Sequence, residues 1–292
     1  MNTAHKILLV VNPISGNTKK ENIIEQAQKE AKAIKKQLEI YTTKGKSDKD
    51  NLIKLLEKNH FEKLIIAGGD GTIKLGVSAV MEIHKNIPIG IIPAGSANGM
   101  AVELNLPLDI QKAIRHALKN TPKPVDIVQI NGEASIHISD IGINAALIKN
   151  YDQSNIRGKL GYALQSIPTL INFKEPFHYK INANGKVFSG DAIMVAFANA
   201  QKYGNGAVIN PQGKLNDGKF EILIFKSLQI PKILETVFNE VPIDEEFIEI
   251  IKTNKAVINT KNPVPLQIDG EYGRETNFVE ISIAHKQLQI IY

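Results

Sequence analysis

Short apolar runs alternate with stretches of helical periodicity in the N-terminal part of the chain. Four runs have the length of β-strands: Lys6–Val11, Glu39–Thr42, Leu64–Ala67 and Pro88–Ile92. Between them, apolar residues recur every three or four positions, as on one face of a helix: Ile23, Ala27, Ala31, Ile34 and Leu38, and then Leu52, Ile53 and Leu56. Strands and helices that alternate in this way build a parallel sheet covered on both faces. The pattern therefore predicts an N-terminal α/β domain.

The pattern changes after a predicted helix at Ile110–Leu118. The segment Thr121-Pro122-Lys123-Pro124 interrupts the chain, and short strands separated by turn residues follow it. We therefore predict two domains, an α/β domain at residues 1–122 and a mainly antiparallel β domain at residues 123–285. The last strand, at residues 286–292, is expected to return to the first domain.

Two Asn-Gly dipeptides mark predicted hairpins in the second domain, because both favour the positive φ angles of tight turns. Asn131-Gly132 lies between Val125–Ile130 and Ala134–Ser139, and Asn184-Gly185 lies between Tyr179–Ala183 and Lys186–Ser189. The remaining predictions are helical segments at residues 160–170 and 231–239 and two final strands, Phe278–Ala284 and Gln287–Tyr292.

Composition excludes several classes of function. The chain has no cysteine, so disulfides and thiolate metal sites are impossible. Its net charge of +5 favours contact with anionic lipid surfaces or nucleotides, or simply solubility, and no nucleic-acid-binding motif accompanies it. The first apolar run is too short for a signal peptide or a membrane span. We expect a cytoplasmic protein with no nucleic-acid partner.

The most specific local signal is a glycine-rich turn between a predicted strand and a predicted helix. This Gly-rich turn, residues 68–72, reads Gly68, Gly69, Asp70, Gly71, Thr72. Glycines let the backbone approach a polyphosphate, and the free N–H groups at a helix start favour negative charge. Asp70 would repel phosphate, so a magnesium-linked or proton-handling role suits it better. A simple turn that caps a helix is the alternative interpretation.

Two further loops follow predicted strands of the same sheet. The Asn-Pro turn, residues 12–16, follows the first strand and contains Asn12 and Ser15, while the third loop, residues 93–98, follows the fourth strand and contains Gly95 and Ser96. Open α/β sheets bind ligands at the carboxyl ends of their strands, so the three loops predict one binding site.

These motifs resemble those of the diacylglycerol kinase catalytic-domain family, which includes bacterial lipid kinases and sphingosine kinases within the superfamily of NAD kinases. The resemblance covers nearly the whole chain. It rests on five motifs in family order: Asn12–Gly16, Gly68–Thr72, Pro93–Asn98, Asn216-Asp217-Gly218 and Asp269-Gly270-Glu271. It implies an ATP-dependent kinase that acts on a lipid at a membrane surface, as a peripheral protein, and it leaves open whether the chain forms a homodimer.

The resemblance also implies roles for particular residues. ATP would be held in a cleft between the domains by Asn12, Ser15, Gly68, Gly69, Asp70, Gly71, Thr72, Gly95, Ser96 and a threonine after the second strand, either Thr42 or Thr43. Glu271 would be the general base and Asp70 a second catalytic residue. A structural Mg²⁺ would be bound by the carboxylate of Asp217 and the backbone carbonyls of Lys214 and Lys219.

The chain departs from the family pattern at two places. Diacylglycerol kinases commonly continue the third loop as Asn-Asp-Phe-Ala, whereas Gly99 and Met100 follow Asn98 here, which is closer to sphingosine kinases. Lys74 and Leu75 stand where the family often has Asn-Glu. The acceptor lipid thus stays open, and NAD kinase or a non-catalytic nucleotide-binding protein are the alternatives. The apolar residues 159–173 line a lipid pocket, dip into a membrane interface or form a buried covering helix.

Overall fold

A computed structural model describes residues 6–16, 19–96, 98–152, 176–203, 207–227 and 248–292 of the chain. The chain divides into two compact units, Met1–Val125 with Lys286–Tyr292, and Asp126–His285. The first unit is an α/β structure with parallel strands, and the second is mainly antiparallel β. The predicted fold class is confirmed.

The first unit is a parallel sheet flanked by helices. Its elements are β1 (Lys6–Val11), α1 (Lys20–Ala33), β2 (Gln37–Thr42), α2 (Asp48–Lys58), β3 (Lys63–Gly68), α3 (Asp70–Glu82), β4 (Ile89–Pro93), α4 (Gly99–Glu103) and α5 (Ile110–Lys119). The strands lie in the order β2-β1-β3-β4, all parallel, and Ile290 near the C-terminus pairs with Ile89 of β4 in the parallel sense. The four strands predicted from the apolar runs are confirmed.

Both faces of this sheet are buried, as a parallel sheet requires. Ile7, Leu9 and Val11 of β1 belong to a core formed with α1 and α5, whereas the alternate residue Leu8, on the opposite face, is also fully buried. On α1 the residues Ile23, Ala27 and Ala31 recur at helical spacing and belong to the same core. The apolar periodicity of the sequence thus positions the ends of the strands, where the three loops begin.

The second unit is built from antiparallel strands. Its elements are β5 (Pro122–Ile130), β6 (Glu133–Ser135), β7 (Ile138–Gly142), α6 (Ile143–Asp152), β8 (Phe177–Ala183), β9 (Lys186–Ala192), β10 (Met194–Ala198), β11 (Lys202–Tyr203), β12 (Ala207–Val208), β13 (Phe220–Phe225), β14 (Ile248–Thr253), β15 (Lys255–Ile268) and β16 (Glu271–Ile291). The start of β5, up to Val125, and the end of β16, from Lys286, belong to the first unit. The order is β14-β13-β10-β7-β15-β16, and β8 pairs with both β15 and β9. Tyr179, Phe197 and Phe220 are the largest fully buried side chains of this core.

Both predicted Asn-Gly turns are confirmed. Asn131 and Gly132 have φ angles of 49° and 83°, and Asn184 and Gly185 have φ angles of 53° and 70°. Positive φ at both central residues matches the twist of a two-residue hairpin, so these dipeptides fix the pairing of β5 with β6 and of β8 with β9.

Two strand predictions differ from the structure. The predicted strand Ala134–Ser139 divides into β6 and β7, because the backbone N–H groups of Ile136 and His137 bond to the carboxylate of Asp269 instead of a strand. The two predicted final strands form the continuous β16, and α6 was not predicted. The predicted helices at 160–170 and 231–239, and the apolar segment 159–173, lie outside the described residues. Within the described part of the chain, no helix is long and apolar enough to span a membrane.

Candidate active site

Three loops meet at the carboxyl end of the parallel sheet, where neighbouring strands β1, β3 and β4 end side by side. The Asn-Pro turn contacts the Gly-rich turn through a hydrogen bond from Asn12 Nδ2 to Thr72 Oγ1, at 3.1 Å. It contacts the third loop through a hydrogen bond from Ser15 Oγ to the carbonyl oxygen of Ala94, also at 3.1 Å. The backbone N–H of Ala94 donates to the carbonyl of Gly68 at 3.0 Å. The structure therefore brings together the three motifs of the first unit that the sequence predicted to form one site.

Glycine is required where the Gly-rich turn and the third loop approach each other. A Cβ atom at Gly95 would lie 2.3 Å from the Cα of Gly69, a distance that real Cβ atoms do not show. Gly16 has a φ of 54°, and a Cβ there would lie 2.8 Å from the carbonyl oxygen of Ala94. The glycines thus serve close packing of loop on loop, in addition to any approach by a phosphate.

Asp70, the first residue of α3, holds the start of α4. Its Oδ2 accepts a hydrogen bond from the backbone N–H of Gly99, and its Oδ1 accepts one from Met100, both at 2.9 Å. These bonds satisfy two N–H groups that the first turn of a helix leaves without a partner. In the same loop, Asn98 has a φ of 56° and its Oδ1 accepts from the N–H of Gly95. Asp70 therefore positions the third loop, a role that its sequence motif did not indicate.

Lys20, at the start of α1, links the Asn-Pro turn and the third loop. Its buried Nζ donates to the carbonyl oxygens of Ser15 and Ala94. Burial lowers the pKa of Lys20, and the carboxylate of Glu21 opposes that shift. Sequence reasoning missed this residue, since a lysine in the first turn of a helix is ordinarily solvated.

The other predicted nucleotide residues of this unit lie at the end of β2, in the Gly-rich turn and in the third loop. Thr42 ends β2 and is exposed, whereas the backbone N–H of Thr43 donates to the carbonyl of Val11 at 2.9 Å. Gly71 in the first turn of α3 and Ser96 in the third loop are exposed. These positions do not decide whether Thr42 or Thr43 would contact ATP, so this contact stays a prediction.

Glu271 is the first residue of β16 and follows a turn that side-chain contacts hold in place. Asp269, with a φ of 52°, accepts from Ser135 Oγ and the N–H groups of Ile136 and His137, each at 2.9 Å. The N–H of Gly270 donates to Gln267 Oε1 at 2.7 Å. Glu271 itself is exposed. The turn therefore holds the backbone of this exposed residue in place, while the anchors Ser135 and Gln267 gave no signal in the sequence.

The contacts of Asp217 do not fit the predicted structural Mg²⁺. Its Oδ2 lies 2.8 Å from the ammonium of Lys252, and its Oδ1 accepts from the backbone N–H of Lys219 at 3.1 Å. A positive ammonium therefore already lies against the carboxylate that would hold the ion, whose other predicted ligands are the carbonyls of Lys214 and Lys219. Among the described residues, no group of three or more acidic or histidine side chains is placed to hold a metal.

Comparison with known families accounts for both units. A family model described as the diacylglycerol kinase catalytic domain matches residues 6–130, and the YegS C-terminal NAD kinase beta sandwich-like domain matches residues 138–292. The chain belongs to the diacylglycerol kinase family. The predicted family is thereby confirmed, since the matches include all five motifs that carried the resemblance.

Individual relatives of the diacylglycerol kinase family cover almost the whole chain. The diacylglycerol kinase of Bacillus subtilis strain 168 is 27% identical over 273 residues, which are 91% of this chain and 89% of that protein. A crystal structure from Bacillus anthracis strain Sterne has a TM-score of 0.81 at 25% identity and covers 99% of this chain and 96% of its own. A second, of a diacylglycerol kinase from that strain, has a TM-score of 0.78 at 22% identity, with coverage of 99% and 97%. Family membership supports a lipid kinase in general.

Proposed function

We propose that this protein transfers the γ-phosphoryl group of ATP to a hydroxyl group of a lipid. The observation that carries the proposal is the convergence of the Asn-Pro turn, the Gly-rich turn and the third loop at the carboxyl end of the parallel sheet. Ligands bind there in open α/β sheets. The family supplies the reaction class, and the remaining steps follow from the chemistry of the residues.

The triphosphate is proposed to bind at the start of α3. The first turn of this 13-residue helix has N–H groups that favour an anion, and Gly68, Gly69 and Gly71 keep side chains away from the approaching phosphates. Asn12, Ser15, Thr72 and Ser96 add polar groups around this turn. A magnesium ion bound with ATP would neutralise phosphate charge, and Asp70 is the carboxylate of the turn that could hold it.

Glu271 is proposed to be the general base. Its carboxylate takes the proton of the lipid hydroxyl while the hydroxyl oxygen forms a bond to the γ-phosphorus, and the bond from that phosphorus to the β,γ-bridging oxygen breaks to release ADP. The hydrogen bonds of Asp269 and Gly270 restrict the turn that carries the base. Restricting the backbone reduces the conformational freedom that must be lost before reaction.

The acceptor is proposed to be a lipid of diacylglycerol or sphingoid type, met at a membrane surface by a cytoplasmic protein. Gly99 stands where diacylglycerol kinases commonly have aspartate in the third loop, and its N–H is one of the two groups that Asp70 binds. The loop is therefore organised without that aspartate. Both acceptor types present a hydroxyl group, so an assay of both is required.

The test is incubation of the purified protein with γ-labelled ATP and Mg²⁺ in separate reactions containing NAD, diacylglycerol vesicles, sphingosine vesicles and total lipid extract. Label in a lipid, identified by mass spectrometry of the phosphorylated product, is the expected result. Label in NAD would assign an NAD kinase instead. ATP binding with no labelled product in any reaction would assign a non-catalytic nucleotide-binding protein.

Gly95→Ala is expected to weaken ATP binding by roughly 10- to 100-fold, because the added methyl group forces the third loop away from Gly69 and overpacking of this kind costs about 1–3 kcal/mol. Isothermal titration calorimetry with ATP measures the change. Gly273→Ala is the control, since the nearest atom to its new Cβ, the carbonyl oxygen of Leu266, is 3.5 Å away. Equal ATP affinity of Gly95→Ala and the unmodified protein would contradict the proposed nucleotide site.

A further inference from the structure

Lys252 lies between two carboxylates in the second unit. Its Nζ is 2.8 Å from Asp217 Oδ2 and 2.8 Å from Glu221 Oε1. The side chain of Glu221 is only 2% exposed, and that of Asp217 is 25% exposed. A carboxylate as buried as Glu221 needs a positive partner, because removing an isolated charge from water is costly.

The strand register builds this arrangement. Glu221 of β13 pairs directly with Lys252 of β14, so the two side chains lie on the same face of neighbouring strands. Asn210 Nδ2 donates to the second oxygen of Glu221 at 2.9 Å, and the backbone N–H of Lys219 donates to the second oxygen of Asp217. All four carboxylate oxygens therefore have a donor or an ammonium beside them.

We propose that the ammonium of Lys252 takes the place of the structural metal ion expected at Asp217, so that the second unit is stable without a divalent cation. A lysine ammonium is a compact point charge that can contact two carboxylates at once, as a small cation does. A Mg²⁺ ion bound to the same oxygen of Asp217 would face this positive charge at close range. The ammonium therefore both satisfies the acidic pair and disfavours the metal.

The charge state of Lys252 agrees with this geometry. Burial lowers its pKa, but hydrogen bonds to the carboxylates of Asp217 and Glu221 outweigh burial, and the pKa of Lys252 is raised overall. The two 2.8 Å contacts of Lys252 Nζ supply the positive charge that the acidic pair needs, so stability at this position does not require a divalent cation.

The first test measures thermal unfolding of the unmodified full-length protein without nucleotide, in EDTA, in Mg²⁺ and in Ca²⁺. The expected result is the same Tm in all three solutions. A Tm that falls in EDTA and rises again with Mg²⁺ or Ca²⁺ would overturn the proposal, because the fold would then depend on a bound divalent ion. This arm requires no variant.

The second test uses Lys252→Met, which leaves Glu221 buried without its cation. We expect its Tm in EDTA to fall by roughly 5–10 °C, as is typical when one partner of a buried ion pair is removed. Mg²⁺ or Ca²⁺ should restore part of the loss, since the acidic pair then accepts an external cation. The conservative variant Lys252→Arg should keep a Tm that does not respond to metal.

Lys226→Met is the matched control, since Lys226, the residue directly after β13, pairs with Glu249 of β14 at 2.7 Å but is 57% exposed. We expect little change in its Tm and no response to metal, because exposed ion pairs contribute little to stability. If Lys252→Met were as stable as this control, or if no divalent ion stabilised it, the proposal that Lys252 takes the place of the metal ion would be overturned. If Lys252→Met does not fold, Lys252→Arg and the unmodified protein decide: a metal response in either overturns the proposal.

Discussion

Replacing Glu271 by glutamine is expected to reduce kinase turnover by roughly 10²- to 10⁴-fold, the usual contribution of a general base. Glutamine has nearly the same shape, but its neutral amide cannot accept the hydroxyl proton. Because Glu271 is exposed at the start of β16 and the adjacent turn is held by Asp269, the fold should be unchanged. Initial rates with γ-labelled ATP and the acceptor lipid, together with Tm and ATP affinity, measure these effects.

Glu280→Gln is the control for this substitution. Glu280 is exposed on the same strand and pairs with Lys255, so the change removes an equivalent charge at a position with no proposed chemistry. Its turnover should equal that of the unmodified protein. Full turnover by Glu271→Gln, with the Tm unchanged, would remove Glu271 from the mechanism while leaving the nucleotide site intact.

Local features of the fold could be predicted from the sequence because they depend on neighbouring residues. The five apolar residues Ile7–Val11 define a strand by themselves, and Asn131-Gly132 defines a turn through its own φ angles. The same locality explains why the Gly-rich turn could be recognised. Its glycines, its aspartate and the following helix lie within a few residues of one another.

Features that depend on long-range contacts could not be predicted. Asp70 accepts from Gly99 and Met100, 29 and 30 residues away, and only the parallel order of β3 and β4 brings them together. Lys252 lies opposite Glu221 because of the register between β13 and β14, and no local sequence pattern specifies that register. The metal site was therefore predicted from Asp217 and its neighbours in sequence, without the ammonium of Lys252 that lies beside the carboxylate.

Helix α6 shows a third kind of difficulty. It follows β7 directly, at Gly142, whose φ is 109° and whose added Cβ would lie 2.4 Å from the carbonyl oxygen of Ile193. The residue before the helix is Gly142 rather than the Ser, Thr, Asp or Asn that commonly begins one. The strand ends at this closely packed glycine, a position that periodicity does not indicate.

Asp70→Ala is expected to lower kcat/KM by at least ~10²-fold, because two hydrogen bonds to a charged group are lost and each contributes about 1.5–3 kcal/mol. The N–H groups of Gly99 and Met100 would lose their acceptor, and the third loop would no longer be held against the Gly-rich turn. The dependence of rate on ATP and Mg²⁺ concentration should shift as well. Steady-state kinetics over both concentrations measures the change.

Asp109→Ala separates this effect from simple loss of a helix cap. Asp109 caps α5 in the same unit through a 2.9 Å hydrogen bond from the N–H of Lys112, so its removal should cost about 1 kcal/mol of stability and leave ATP affinity unchanged. If Asp70→Ala lost only a similar amount of stability and kept its kcat/KM, Asp70 would be a cap and nothing more. A large kinetic loss at comparable stability would instead show that Asp70 acts in the reaction, by holding the third loop in position or by holding the magnesium ion of ATP.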